Sequence, residues 1–419
     1  MQRSIKAIAW YTVSAGASAI LPVLVLPTIA NSIGPVNFGY LSTARSAMPV
    51  VGFFVGSFLG FGLARVFYEV DSAGYFARIN GANLTSLILG LFWGLFGIAV
   101  LPALFPPDIP RILIFLLVVI GAVGFVCRQN YHRVIVMLPK PGLAAGSELA
   151  FNIMIFGALL VVLWMGGSWV DMVTSQTIIF ILTAGISAGI VFSLVGTRGF
   201  ADVDIDWSRR NFFRSAPFVI VGLVSPLMLT IDKFIIASVL GVESMGVYAA
   251  TSLYLSGMFL LSGVFSKVYV PSVYAALSKF HETADPAFLR RAQKRLRLVL
   301  LGLVPLVAVI ALVCTFHAYL VLDLRYRPAV DVTWLVVVAG ASGFVQVALI
   351  PFFDSFNEAR QMSVLAFFGL GVSAIGLWVG AAWADIWGAA FGLMVGQLVY
   401  VALSLVQYAR LGFEPYKRS

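Results

Sequence analysis

The sequence predicts an all-α polytopic membrane protein with about 12 transmembrane helices in two six-helix lobes around a central cavity. Of its 419 residues, 61% are hydrophobic and 11% charged, and the mean hydropathy is +0.99. No water-soluble domain of this length needs so much apolar sequence. Apolar runs of spanning length recur along the chain, and a glycine-containing turn occurs twice, so the sequence indicates many spans and an internal duplication.

The apolar runs are separated by charged or Pro/Gly-rich breaks. Helices are expected in place of a membrane barrel because the runs are continuous, and because each backbone group in lipid must be bonded within its own segment. The predicted spans are 8–30, 41–64, 82–104, 112–136, 146–166, 176–196, 216–240, 246–270, 298–322, 332–353, 362–383 and 386–408.

The distribution of cations predicts the orientation. With the first residue in the cytoplasm and alternating spans, both termini are cytoplasmic. Of the 27 Lys and Arg residues, only Arg111, Arg325 and Arg327 then lie outside, and Arg45 and Lys233 lie within spans. The remaining cations lie on the cytoplasmic side, as the positive-inside rule requires.

The same distribution excludes several classes of function. A net charge of +9 is compatible with nucleic-acid binding, but these cations are scattered through short loops, so no nucleic-acid partner is expected. Cys127 and Cys314 lie in or beside apolar spans without a CxxC or histidine cluster, so neither a disulfide nor a metal site is indicated, and no cofactor is expected. The first apolar run reaches Ala30, too long for a signal peptide, and is expected to remain as a span.

A basic segment precedes the ninth span. Asp285 and Pro286 are typical of a helix N-cap followed by proline at the first helical position. The helix then reads FLRRAQKRLRL and is interpreted as an orientation signal on anionic lipid, with direct contact to an anionic ligand as the alternative.

An internal repeat predicts the two lobes. IGPVNFGYLSTARS follows the first span and LGVESMGVYAATSLY follows the seventh, so that Gly34 and Gly39 match Gly241 and Gly246 at an offset of 207 residues. We interpret these glycines as turn and close-packing residues. Both preceding spans start in the cytoplasm, so the lobes share one orientation. The predicted division is a first lobe at 1–196, a cytoplasmic linker at 197–215 and a second lobe at 216–419.

Charged residues inside spans are the candidate site. A charge at mid-bilayer costs roughly 2.5 to 3.5 kcal/mol, so such residues normally face a protein interior or a wet cavity. Asp232, Lys233 and Arg45 meet this description, and the repeat places Val25 and Ser252 at the positions that match Asp232 and Arg45. Adjacent helical residues point about 100° apart, so we expect that Asp232 and Lys233 do not pair face to face.

The segment IDKFIIASVLGVESMGVYAATSLY resembles the seventh-to-eighth helix signature of polysaccharide flippases in the multidrug/oligosaccharidyl-lipid/polysaccharide superfamily. In these proteins an aspartate and a basic residue precede LG, four residues and GxY. IGPVNFGY is similar to the loop after their first helix, and NEARQ at 357–361 occupies the place of their loop between helices ten and eleven. Twelve spans are closer to the O-antigen type than to the fourteen-helix lipid II flippases. The resemblance implies a multidrug and toxin extrusion-like fold.

The family implies translocation of an undecaprenyl-pyrophosphate-linked oligosaccharide across a bacterial inner membrane by alternating access. The partners are then this lipid-linked oligosaccharide, membrane lipids and the polysaccharide polymerase machinery. A basic cleft suits the pyrophosphate, and Arg45 is the first candidate because a guanidinium offers bidentate donors and keeps its charge. The predicted substrate-binding residues are Arg45, Lys233, Asp232, Lys267, Arg65 and Arg128.

Each candidate has another interpretation. Arg45, Lys267, Arg65 and Arg128 could be snorkelling or helix-end cations. The pair Asp232-Lys233 could mark an earlier helix end, and Asp232 could instead carry a coupling proton or contribute to a sodium site. Glu148 with Asn152 is interpreted as a helix–helix hydrogen-bonding face. A further set of side chains could stack on sugars or form interfacial aromatic belts: Tyr40, Tyr248 and Tyr254.

Two other functions remain open. A multidrug/cation antiporter of the same superfamily would place net negative charge in its cavity, whereas two cations here outnumber one carboxylate. A membrane-embedded polysaccharide polymerase or glycosyltransferase would need catalytic groups on a sizeable loop. The DxD spacing of Asp202 and Asp204, in a short loop, is interpreted as a solvated acidic turn.

Overall fold

The structure is a computed structural model, and it describes residues 2–57, 59, 63, 72–100, 111–137, 140–195, 202–356 and 358–411. Over these residues the chain is helical, with a five-residue π-helical turn at Phe53–Ser57 and a 3-10 turn at Leu324–Tyr326. The helices are α1 Gln2–Gly52, α2 Ser72–Val100, α3 Arg111–Met137, α4 Pro141–Trp164, α5 Trp169–Val195, α6 Ile205–Leu240, α7 Val242–Thr283, α8 Pro286–Val321, α9 Arg327–Gly340, α10 Ser342–Ser355 and α11 Ala359–Ala409.

The chain divides into two compact units. The first unit comprises Met1–Ser14 and Asn37–Thr230, and the second comprises Ala15–Val36 and Ile231–Ser419. In the first unit α3 packs against α2, α4 and α5; in the second, α9 packs against α7, α8 and α11. The lobes at 1–196 and 216–419 rest on the repeat and the loops of the sequence, and this division stays a prediction.

Hydrogen bonds explain why the middle of α1 belongs to the second unit. The Asn31 amide donates to Val321 O at 2.7 Å, and Arg325 Nη2 donates to Asn31 O at 2.7 Å. The Tyr326 hydroxyl donates to Ala30 O at 2.8 Å. The turn between α8 and α9 therefore holds this part of α1 by satisfying carbonyls at its kink.

The two glycine-containing turns adopt the same backbone conformation. Gly34 has φ 78° and ψ 167°, and Gly241 has φ 87° and ψ 171°. This left-handed region favours glycine because a Cβ would clash with the backbone there. A Cβ at Gly246 would lie 1.7 Å from Pro35 O, so this glycine allows close packing within the second unit. The turn role of Gly34 and Gly241 and the packing role of Gly246 are confirmed, and the role of Gly39 stays a prediction.

The DVDID segment is more ordered than a solvated turn. Asp204 Oδ1 accepts from Trp207 N–H at 2.7 Å, and Asp204 N–H donates to Ala77 O at 2.8 Å. Arg78 Nε lies 3.8 Å from Asp204 Oδ2. Asp204 therefore caps α6 and ties its start to α2, and of the two residues in DxD spacing Asp202 keeps the exposed character that the sequence indicated.

The basic segment before the ninth span forms the predicted helix. Asp285 Oδ1 accepts from Ala287 N–H at 2.8 Å, and Pro286 begins α8, which continues without interruption to Val321. At the same end of the second unit, the Tyr274 hydroxyl donates to Asp354 Oδ2 at 2.6 Å. Burial and this carboxylate raise the pKa of Tyr274, so the phenol keeps its proton and remains a donor.

The predicted tenth span departs from a single straight helix, whereas the last two spans are separated where the sequence predicts, between 383 and 386. The tenth is divided between α9 and α10 at Ala341, where a Cβ at Gly340 would lie 2.7 Å from Met258 Cβ. The last two form one hairpin within α11, broken at Ala384 and Asp385. Asp385 has φ 57° and bonds its own neighbour, Ile386 N–H, which is how a short acidic side chain supports the left-handed region.

Seven helices in the described part of the chain are long and apolar enough to cross a membrane. The longest of these segments, Arg360–Ala409, is the hairpin, and Gly16–Gly56 overlaps most of the first predicted span, 8–30, and most of the second, 41–64. The chain is a multi-pass membrane protein with nearly all of its described residues in helices.

Candidate functional site: charged side chains inside the helical units

Arg45 is a partly buried cation of the first unit. It lies on α1 beyond the Gly34 kink, and Thr230 Oγ1 holds this part of α1 by donating to Ser46 O at 2.9 Å. The Arg45 guanidinium carbon is 5.3 Å from the Phe156 ring centroid. With the residues that the structure describes, Arg45 forms neither a hydrogen bond nor an ion pair. Its donors therefore remain available to an anion.

Asp232 and Lys233 form an ion pair, which corrects the expectation that these neighbours do not pair. Lys233 Nζ lies 3.4 Å from Asp232 Oδ1, and the two residues are 3% and 0% exposed. The 100° between their Cα–Cβ directions does not prevent the contact, because lysine's flexible four-carbon chain folds back to the adjacent carboxylate. The pair lowers the cost of burying two charges in the second unit.

The ion pair uses only one oxygen of the Asp232 carboxylate. Oδ1 also accepts from Lys233 N–H at 2.7 Å, whereas Oδ2 has no hydrogen-bond partner. The fully buried Tyr248 side chain interacts electrostatically with Asp232, yet its hydroxyl also lacks a satisfactory hydrogen bond. The second unit therefore contains two buried polar groups, the Asp232 carboxylate and the Tyr248 phenol, whose hydrogen-bonding capacity is not fully used.

Arg128 is buried in the first unit, where it contacts an acid and an aromatic ring. Its guanidinium carbon lies 3.3 Å from the Phe151 ring centroid, and Nη2 lies 2.5 Å from Glu148 Oε2. Glu148 also bonds Asn152, whose amide donates to Glu148 O at 2.9 Å. The helix–helix role predicted for Glu148 is confirmed, because its carboxylate links α4 to Arg128 on α3.

For two predicted site residues the side chain lies outside the described part of the structure. Arg65 lies outside the described residues. Lys267 lies in α7, but its side chain lies outside the described part of the structure. Their roles stay predictions.

The three singled-out tyrosines are in protein contacts. Tyr40 stacks on Trp169 with ring centroids 5.2 Å apart, and the Tyr254 hydroxyl bonds His317 Nδ1 at 2.9 Å. Tyr248 is buried beside Asp232, which is incompatible with a place in an interfacial belt. Each of these rings therefore has a packing role within its unit.

Sequence reasoning missed three residues that the structure brings to the charged side chains. Phe151 and Phe156 on α4 support Arg128 and Arg45, and His132 on α3 lies 3.4 Å from Glu148 Oε2. One signal for His132 was present, because it follows Arg128 by four residues and must share its helix face. The aromatic supports carried no signal in a chain where aromatics are abundant.

The described residues contain no group of three or more His, Cys, Asp or Glu side chains placed to hold a metal ion. The charged side chains can instead bind ions of opposite sign directly. Arg45 offers a guanidinium to an anion, and the second oxygen of Asp232 offers a buried acceptor to a proton or cation.

No family model and no curated protein matches the chain. Solved structures do. An inward-facing multidrug resistance transporter of the MATE family, MOP superfamily, matches with a TM-score of 0.68 at 13% identity, covering 96% of this chain and 94% of that one. A variant of the Vibrio cholerae MATE transporter VcmN matches at 0.61 and 15% identity, covering 98% of each chain. An outward-facing MATE-family transporter matches at 0.60 and 12% identity, over 97% of this chain and 95% of that one.

The helices and the buried charges define a polytopic membrane protein. Its fold is that of the MATE transporters, because the match extends over nearly the whole of both chains. The predicted fold class is confirmed, and at 12–15% identity the likeness shows the fold alone. What the chain does within this fold has to be argued from the charged side chains.

Proposed function

We propose that this protein is a flippase that translocates an undecaprenyl-pyrophosphate-linked oligosaccharide across the bacterial inner membrane for surface polysaccharide biosynthesis. The observation that carries the proposal is Arg45. It is a partly buried guanidinium inside a span, supported by an aromatic ring and without an acidic partner among the described residues. Such an arrangement is costly unless it binds an anion at some stage of the cycle.

The chemistry of the substrate explains why a cation is needed. A pyrophosphate cannot cross hydrocarbon without losing its hydration, whereas the apolar polyprenyl tail is soluble in the hydrocarbon core. A protein that offers guanidinium donors to the phosphate oxygens replaces part of that hydration while the tail stays in the membrane. Arg45 is the residue placed to do this, with Lys233 as a second cation and Lys267, Arg65 and Arg128 as further candidates.

The charge balance of the second unit is compatible with an anionic substrate. Asp232 is neutralised in part by Lys233, so that the acid does not present an unopposed negative charge. The fold supports a transport cycle as well, because solved relatives of this fold include an inward-facing and an outward-facing state. We propose alternating access for this chain, with both termini in the cytoplasm as the cation distribution predicts.

Substitution of Arg45 in the source bacterium tests the proposal. In a strain lacking the chromosomal gene, Arg45→Ala should lower surface polysaccharide about tenfold or more relative to wild type. That matches the loss of a hydrogen bond to a charged group, worth about 1.5–3 kcal/mol. Arg45→Lys should retain part of the activity because the charge remains. Membrane protein level is measured by immunoblot in every strain.

Arg327→Ala is the matched control, since this exposed arginine also lies over an aromatic ring, 4.2 Å from the Tyr319 centroid. It should give wild-type polysaccharide. Wild-type polysaccharide in Arg45→Ala, at equal protein level, would remove Arg45 from the substrate site and with it the main support for this function.

A second candidate is a multidrug or cation antiporter, which the unsatisfied Asp232 Oδ2 and the adjacent Tyr248 hydroxyl favour. These atoms could hold an organic cation or its exchanged proton. Efflux of a fluorescent organic cation from whole cells separates the two candidates. An antiporter loses efflux in Asp232→Asn and not in Arg45→Ala, and its gene deletion leaves surface polysaccharide intact.

A further inference from the structure

One carboxylate oxygen in the first unit contacts two basic side chains. Glu148 Oε2 lies 2.5 Å from Arg128 Nη2 and 3.4 Å from His132 Nε2. The other ring nitrogen, His132 Nδ1, lies 3.2 Å from Ser147 Oγ. Arginine is charged at all relevant pH, so the protonation of the imidazole decides whether this oxygen has one cationic neighbour or two.

The cluster is accessible from the side of its acid. The Arg128 side chain is 5% exposed, the His132 side chain 19% and the Glu148 side chain 34%. An anion that approaches Arg128 must therefore compete with Glu148 for the guanidinium, since Phe151 covers a face of it at 3.3 Å. Glu148 is an internal counter-ion that an anionic ligand has to displace.

We propose that Glu148 and His132 form a proton-binding site that controls whether Arg128 can bind a diphosphate headgroup. This proposal rests on the function proposed above. When a diphosphate takes the guanidinium, the displaced carboxylate retains only the imidazole as a basic neighbour among these contacts, and the pair takes up a proton from solvent. The bond broken is the Arg128–Glu148 ion pair, and the new bonds join Arg128 to the phosphate oxygens. Proton binding and anion binding therefore favour each other.

The same helix links this cluster to Arg45. Phe151 and Phe156, which support Arg128 and Arg45, are five residues apart on α4, which is about 7.5 Å along its axis. These two positions are also about 140° apart around the helix axis, so Phe151 and Phe156 support Arg128 and Arg45 from different faces of α4.

The other ionisable groups on the helices packed around the cluster do not duplicate its chemistry. The carboxylates are Asp171, in the first turn of α5 at the opposite end of the unit; Asp204, paired with Arg78; and the exposed Asp206. The remaining ionisable side chains that the structure describes on these helices in the first unit are Tyr40 and Arg45 on α1, Tyr75 and Arg78 on α2, Cys127, Tyr131 and Arg133 on α3, Lys140 at the start of α4, and Arg209 and Arg210 on α6. None of them is a carboxylate, so Glu148 is the carboxylate placed to exchange with an anion at Arg128.

Calorimetry on the detergent-solubilised full chain tests the inference, with farnesyl diphosphate as the probe. The binding enthalpy is measured at one pH in two buffers of different ionisation enthalpy, which gives the number of protons taken up with the ligand. The probe titrates too, but its contribution cancels when variants are compared. Wild type should take up more protons than Glu148→Gln, by an amount approaching one, and its affinity should gain up to about tenfold per unit fall in pH relative to that variant.

Two variants keep the test decisive. Should Glu148→Gln fail to fold, His132→Gln replaces it and should likewise reduce proton uptake. Asp206→Asn is the control for loss of an acid and should match wild type. Equal proton uptake in wild type, Glu148→Gln and His132→Gln, with binding that still depends on Arg45, overturns the proton-binding site and leaves the flippase proposal standing. Absence of saturable binding in wild type overturns both.

Discussion

Arg45 and Lys233 were chosen from the sequence for the same reason, and the structure separates them. Arg45 has an aromatic support and no acidic partner among the described residues, so substitution removes a cation without leaving a carboxylate exposed. Lys233 is the partner of a fully buried acid. Loss of Lys233 therefore has a structural consequence that loss of Arg45 does not have.

Substitutions at the Asp232–Lys233 pair separate its structural role from a binding role. Lys233→Met alone should lower the stability of the purified protein by about 3–5 kcal/mol, because it leaves a buried carboxylate without its cation. The double variant Asp232→Asn/Lys233→Met should recover most of that loss, since neither residue then carries a charge. Thermal unfolding in detergent measures both.

Polysaccharide production gives the second measurement on the same variants. If Lys233 contributes to substrate binding, the double variant folds but remains defective in surface polysaccharide. A double variant with wild-type stability and wild-type polysaccharide would assign the pair to structure alone. Equal stability of wild type and Lys233→Met would contradict the ion pair itself.

The sequence identified the charged residues that cost free energy inside an apolar span, but it did not identify the side chains that contact them. Asp232, Lys233 and Arg45 were recognisable because a charge within an apolar run must be explained. Glu148, Arg128 and His132 were harder, because their contact joins positions up to 20 residues apart on two helices and depends on how α3 and α4 pack. The expectation that Asp232 and Lys233 do not pair was wrong, because the angle between neighbouring helix positions takes no account of the length of the lysine side chain.

At the level of helices, small residues explain the last hairpin. A Cβ at Gly388 would lie 2.1 Å from Gly380 O, and one at Gly376 would lie 2.5 Å from Gly392 O. The two halves of α11 thus approach so closely that backbone meets backbone, which is the usual basis of helix association where lipid removes the hydrophobic driving force. Larger side chains at these positions must push the helices apart.

Gly388→Ala should therefore destabilise the second unit by about 1–3 kcal/mol, the usual cost of overpacking. Gly371→Ala is the matched control on the same hairpin, because a Cβ there meets nothing within 4 Å. It should be neutral or stabilising by up to about 1 kcal/mol through helix propensity. Equal melting temperatures for the two variants would contradict the close approach.

The measurement can be restricted to the second unit. Cys314 lies in this unit and Cys127 lies in the first, and both are free thiols. In a Cys127→Ala background, the temperature at which a thiol-reactive dye labels Cys314 reports the unfolding of the second unit.

The sequence was most informative about helix ends and turns. The cap at Asp285 and the paired glycines at 34 and 241 are local features. The cap is a hydrogen bond between residues two apart, and each glycine is required by its own positive φ. The break at Ala341 within the tenth span and the hydrogen bond between Asp204 and α2 depend on packing against other helices. No local sequence pattern predicts them.

For the whole molecule, fold class follows from composition and repetition, and activity does not. Long apolar runs and a duplicated turn are sufficient to predict a two-lobed helical membrane protein, and the matching solved structures share that fold at 10–15% identity. A flippase and a drug antiporter can share every helix and differ in a few buried charges. The distinction therefore depends on what the buried cations bind.

The most direct test of whether this protein translocates a lipid-linked diphosphate is reconstitution of the purified full chain in vesicles containing a polyprenyl-diphosphate-linked oligosaccharide. Headgroups that start inside are detected outside by a membrane-impermeant lectin. We predict that lectin-accessible headgroup appears faster than in protein-free vesicles, and that Arg45→Ala reduces this excess rate about tenfold or more. A rate equal to that of protein-free vesicles, in a preparation that moves an organic cation, would contradict the account.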